Sequence, residues 1–109
     1  MTDILIINTP LPDEYKIKKI IGVVTGITAR TRGMGGQFVA GFEILVGGEV
    51  SSFTSEIEKA RFEAIERMKA KAQEAGANAV VGLDIETANL YQSVVVLSAT
   101  GTALVIEKK

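Results

Sequence analysis

The 109-residue chain is predicted to be a single α+β domain spanning 1–109: a small antiparallel sheet packed by one long helix plus a short helix. Three observations predict it. Apolar, β-branched stretches lie at both ends of the chain, an amphipathic run of more than twenty residues lies between them, and no repeat, linker or charge block divides the sequence.

The first apolar stretch, Asp3 to Asn8, reads as a short strand stopped by Pro10 and Pro12. Ile17, Ile20, Ile21, Val23, Val24 and Ile27 then make Tyr15 to Ala29 a second strand. Its Gly22 and Gly26 predict a bend, a bulge or a close neighbour. A glycine-rich loop follows, with Arg30, Arg32, Gly33, Gly35 and Gly36 as a weak candidate for an anion cradle; a plain connection is the simpler reading, because the Walker and Rossmann spacings are both absent. Phe38, Phe42 and Leu45 recur at helical spacing before Gly47-Gly48 and favour the short helix, with a strand left open there.

The long helix is expected over about Ser52 to Ala75, opened by a capping box at Ser55 to Glu58 or one turn earlier, and closed by Gly76. On a 100° wheel Phe53, Ile57, Ala60, Ala64, Ile65, Met68, Ala72 and Ala75 form one stripe, with Glu63 and Arg67 pairing outside it. Four alanines on that stripe imply close packing. Ala79 to Thr87 and Ser93 to Ile106 complete the order as two strands turning around Asn89.

Composition excludes several functions. Twelve basic against thirteen acidic residues give a formal charge of −1, which argues against nucleic-acid and anionic-membrane partners. Cys and His are both absent, which removes disulfides, thiolate chemistry and the commonest general base and soft-metal ligands. No apolar run approaches the roughly 20 residues of a membrane span, and the N-terminus lacks signal-peptide features, so a soluble, cytoplasmic chain is expected. No cofactor is implied and no catalytic centre is recognisable, so a non-enzyme is expected.

The strands are apolar on both faces, whereas one helix covers one face of a small sheet. Leaving Val, Ile and Leu exposed forgoes about 1.5–3 kcal/mol each, so association with further copies is expected, against the simpler alternative that the short helix covers the second face.

Gly22-Val23-Val24-Thr25-Gly26, Val46-Gly47-Gly48, Glu58-Lys59-Ala60-Arg61, Gly76-Ala77-Asn78-Ala79-Val80-Val81-Gly82 and Gly101-Thr102-Ala103, in that order, resemble the YbjQ family. The resemblance runs from Gly22 to Ile106. It implies a dodecin-like subunit assembling into a ring-shaped homopentamer, with short extra strands joining neighbours. No reaction comes with it, and the family's heavy-metal-binding label brings no ligand set. The chain departs from the family pattern at Glu43-Ile44 and Glu49, so a function tied to charges there is not carried over.

The remaining candidates are few. Arg61 falls within the helix's apolar stripe, where a cation requires a partner, and reads as a clamp or as an anchor for an anionic ligand. Asp84 and Glu86 share one strand face about 7 Å apart and could pair with Arg61, contact a cation or, least plausibly, act between subunits as acid and base. Ser98, Thr100 and Thr102 form a hydroxyl row that could line a channel, although threonine is also simply a good strand residue. A metal would find hard oxygens plus the thioethers of Met34 and Met68, a set suited to Ca²⁺, Mg²⁺ or Mn²⁺ rather than to soft heavy metals.

Overall fold

The computed structural model describes residues 4–31, 49–91 and 94–109. The chain runs β1 (Leu5–Ile6), β2 (Tyr15–Thr31), α1 (Glu49–Glu74), β3 (Ala79–Tyr91) and β4 (Val94–Lys108). One four-stranded sheet has the order β1-β3-β4-β2, and α1 packs on one of its faces. The α+β class is as the sequence predicts, with one correction. β1 runs parallel to β3, so the sheet is mixed rather than antiparallel. The short helix expected around Phe38 falls outside the described residues.

Boundaries moved where tertiary contact overrode local signals. α1 starts at Glu49, so the Ser55 to Glu58 box lies inside it rather than at its cap. β3 continues through Asn89, which pairs with Val95, so Asn89 is a strand residue rather than the centre of a turn. β2 extends through Arg30 and Thr31, which pair with Val95 and Val94. Arg30 is thus a strand residue rather than part of a glycine-rich cradle.

The core forms where α1 meets β2 and β4. Ala60, Ala64, Met68 and Ala72 are fully buried along the helix, facing Val95, Leu97, Ala99 and Ala103 of β4. Small side chains on the helix are matched by a missing one on the strand. A Cβ on Gly26 would collide with the backbone of Ala64 and Met68, so that glycine is what lets α1 seat on β2. Gly22 serves differently: its φ of +134° accompanies the register shift between Ile20 and Gly22.

The helix ends in a Schellman arrangement. Gly76 adopts φ +89°, its N–H donates to the Gln73 carbonyl at 3.0 Å, and the Ala77 N–H donates to the Ala72 carbonyl at 3.0 Å. The chain then enters β3 through Asn78, whose side chain behaves like one more strand residue. Its Nδ2 donates to the Ile106 carbonyl at 2.9 Å, and its Oδ1 accepts the Ile106 N–H at 2.8 Å. At Gly82, φ +65°, β3 shifts register against β4. There the Gly82 N–H donates to the Thr9 carbonyl and the Leu83 N–H to the Ile7 carbonyl, so the N-terminal segment is tied in at the bulge.

That segment also covers one end of the sheet's second face, where Leu5, Leu11 and Tyr15 pack on Ala79, Leu104 and Ile106. Among the described residues nothing covers the rest of that face: Ile17, Ile20, Val23 and Ile27 of β2 are 48, 65, 73 and 53% exposed. The described residues are also elongated, with a radius of gyration of 17.3 Å, against about 13 Å for a compact domain of about 100 residues.

Gly26→Ala should cost about 3 kcal/mol or more in urea unfolding, because helix backbone must retreat to admit the methyl group. Gly22→Ala, which has open space but a strained φ, should cost about 1 kcal/mol.

Candidate functional site

The strand register assembles the open face from three columns. Asp84 and Glu86 of β3 lie directly opposite Thr100 and Ser98 of β4. The same β4 residues lie opposite Thr25 and Ile27 of β2, and Thr102 lies opposite Val23. Directly paired residues of an antiparallel ladder point to one face. The result is a carboxylate column on β3, a hydroxyl column on β4 and a mainly aliphatic column on β2. The Thr25 and Thr100 hydroxyls lie 3.4 Å apart across two of these columns.

Asp84 and Glu86 are exposed, and strand geometry spaces them about 7 Å apart. Ser98, Thr100 and Thr102 are half-buried between the flanking strands. Neither carboxylate forms an ion pair with a described residue. The surface offers fixed acceptors, adaptable hydroxyls and apolar contact area.

Arg61 does not join them. It is exposed on α1 rather than buried in the helix stripe, and α1 packs on the opposite face of the sheet, so one chain cannot bring it to Asp84 or Glu86. The wheel placed Arg61 inside the stripe because it assumes a flat, wide contact. α1 lies over β2 and β4 and barely touches β3, which leaves that flank of the helix in water. Arg32, Gly33, Met34, Gly35 and Gly36 lie outside the described residues.

The polar cluster that the sequence did reveal in part centres on Glu63. Its Oε1 accepts hydrogen bonds from the Thr28 hydroxyl at 2.7 Å and from Arg67 Nη2 at 2.7 Å, and its Oε2 accepts from Arg30 Nη2 at 2.7 Å. Arg67 Nη1 also donates to the Ile27 carbonyl at 2.7 Å. The Glu63–Arg67 pair follows from i, i+4 spacing, whereas Thr28 and Arg30 lie more than thirty residues away and give no sequence signal. The hydrogen bond from Thr28 is the largest influence holding the Glu63 carboxyl below its ordinary value. Partial desolvation opposes it, and the charges of Arg30 and then Arg67 add to the lowering.

As a metal site the described surface is poor. It has no group of three or more Asp, Glu, His or Cys side chains able to hold an ion. Met68, a soft donor considered from the sequence, is fully buried in the core against Ala64, Ala72 and Val80. With no Cys or His in the chain, these donors do not fit a soft heavy-metal ion.

A family model described as "Putative heavy-metal-binding" matches residues 4–107. Relatives include a UPF0145 protein of Sulfurisphaera tokodaii, 42% identical and covering 98% of this chain and 94% of the relative. Another, from Thermoplasma acidophilum, is 37% identical over 98% of this chain and 90% of its own. Among solved structures, a protein of unknown function from Pediococcus pentosaceus, assigned to the DUF74 family, superposes with a TM-score of 0.66 at 18% identity. The match covers 95% of this chain and 98% of that one, a likeness of fold.

Replacing Asp84 with Asn and Glu86 with Gln together should change unfolding free energy by no more than about 0.5 kcal/mol. Chemical denaturation measures it, and a larger loss would mean that the column serves the fold rather than the surface.

Proposed function

Because this chain belongs to the YbjQ family, we propose that it is a homopentameric ring module without chemistry of its own, binding a small ligand or cation on the open sheet face. The observation that carries this reading is the aliphatic column of β2. Ile17, Ile20, Val23 and Ile27 are all large, all about half exposed or more, and all on the side that α1 leaves uncovered. A contiguous strip of this kind marks an interface rather than a scatter of surface residues. The elongated shape of the described residues supports the same reading, since a chain that spreads its strands gains its missing burial from neighbours.

Ligand binding is assigned to the carboxylate and hydroxyl columns. In a ring each copy contributes Asp84, Glu86, Ser98, Thr100 and Thr102, so weak individual donors are multiplied by symmetry. Oxygen donors of this kind select hard cations, Mg²⁺, Ca²⁺ or Mn²⁺, over Cd²⁺ or Hg²⁺. The heavy-metal description attached to the family is therefore not carried to this chain by its donors.

A second reading, a protein interaction module, is favoured by Phe62. It is 66% exposed on the outer side of α1, beside Glu58, Lys59 and Glu66.

Val23→Asp should leave the single-chain fold intact, since the position is exposed, and should lower the sedimentation coefficient to that of one chain. An unchanged coefficient would remove the strip from the interface. In thermal-shift assays Mn²⁺ or Ca²⁺ should raise the melting temperature of wild type but not of the Asp84→Asn, Glu86→Gln variant. Stabilisation by no cation would favour the interaction module.

A further inference from the structure

β3 is flanked by β4 along its whole length on one side, but on the other it is paired only as far as its bulge. β1 pairs with Ala79 and Val80, and the carbonyls of Thr9 and Ile7 then accept the N–H groups of Gly82 and Leu83. Beyond Leu83 no described segment lies beside that edge. The Leu83 N–H points to it, and the two-residue period of a strand brings the N–H and C=O groups of Ile85 and Thr87 there as well. Backbone groups of this kind are satisfied by water or by another extended backbone.

The two edges of the sheet are built differently. β2, the opposite edge, carries exposed Lys16, Lys18 and Lys19, and Arg67 Nη1 takes up its Ile27 carbonyl at 2.7 Å. Lysines and occupied carbonyls keep an edge from templating further strands. β3 from Leu83 to Ala88 has neither lysine nor proline. Its charges, Asp84 and Glu86, lie on the open face, where two antiparallel β3 strands would set carboxylate against carboxylate. The edge is thus biased against a second β3 but not against a different strand.

Beside this edge stands the flank of α1 that the sheet leaves in water. Ile57, Arg61 and Ile65 are four residues apart and form one line along it. Ile57 and Ile65 are half-buried against the core, as are Leu83 and Ile85 on the strand, while Arg61 and Thr87 are exposed. Helix flank and strand edge bound a groove with aliphatic walls, unpaired backbone along its base and a guanidinium at its rim. Arg61 takes part in none of the ion pairs among the described residues. Glu58 stands to its outer side, in the surface depression that holds Phe62 and Glu66.

We infer that this groove receives an extended segment of another protein, which joins the four-stranded sheet beside β3 and sets an acidic side chain, flanked by aliphatic ones, against Arg61. The chain's own N-terminal segment already does the same along the first part of that edge. Backbone pairing supplies affinity, and the side chains supply selectivity. Alternation fixes the pattern: positions facing α1 are aliphatic, acidic and aliphatic, and positions facing Asp84 and Glu86 are neutral or basic. A slip of one residue turns the acid onto those carboxylates and is rejected. The inference stands apart from the assembly reading, because the β2 strip and this groove lie at opposite edges of the sheet.

The probe is a capped heptapeptide, TVKEKVT in one-letter code, whose valines and glutamate share one strand face. Its control, TVEKEVT, exchanges lysine and glutamate. In fluorescence anisotropy with the wild-type protein, the probe should bind about tenfold more tightly than the control, and Arg61→Glu, at an exposed position, should abolish that preference. Amide hydrogen exchange reads the edge directly. Ile85 and Thr87 should exchange as open amides in the free protein and slow by about tenfold when the probe saturates. Slow exchange at both amides in the free protein overturns the inference, since the edge is then already filled. Absent or equal binding of the two peptides overturns it as well, and so does a preference that survives in Arg61→Glu.

Discussion

The contact between α1 and β2 at Gly26 is the constraint around which the molecule is arranged. A strand and a helix approach this closely only where neither presents bulk, and both sides meet the condition: glycine on β2, and Ala60, Ala64 and Ala72 along α1. Close approach brings Met68, Leu97 and Val80 into full burial, each contributing about 2 kcal/mol of apolar transfer. It also brings Glu63 within hydrogen-bond distance of Thr28 and Arg30. Core and polar clamp are two consequences of one missing side chain.

The same contact explains what is left uncovered. A single helix seated over β2 and β4 cannot reach across β3 or around to the second face. The N-terminal strap covers the end near Leu104 and Ile106, tied in where Gly82 breaks the β3 register. Beyond the strap, the register sorts the surface into carboxylate, hydroxyl and aliphatic columns. The residues most specific to the family resemblance stand away from this surface. Gly76 caps the helix, Asn78 pairs with the backbone of Ile106, Ala79 and Val80 are buried, and Gly82 makes the bulge. That motif specifies a fold, which is why it identifies the family without identifying a reaction.

Much of this was legible in the sequence because it depends on local pattern. The α+β class, the closure at Gly76, the stripe of Ala60, Ala64 and Ala72, and some bend, bulge or close neighbour at Gly22 and Gly26 follow from spacing and residue size, whereas Ala75, expected on the stripe, is exposed. What was not legible depends on contacts distant along the chain. Arg61 fell within the wheel's apolar stripe but lies on the flank that α1 does not bury. Arg30 looked like part of a loop because its strand partner, Val95, is 65 positions away. β1 gave no sign of running parallel, since two residues carry no direction. Asp84 and Glu86 were found as a pair, but their union with Ser98 and Thr100 required the β3–β4 register.

The chemistry of the open face is that of oxygen donors on a partly apolar surface, and its aliphatic strip is left exposed by the described residues. Everything proposed for ligand binding on that face rests on the strip being covered by further copies of the same chain. The most direct measurement is the solution mass of the wild-type protein by light scattering at micromolar concentration. The account predicts a single species near five times the 11.6 kDa of one chain. A mass of one chain would contradict it.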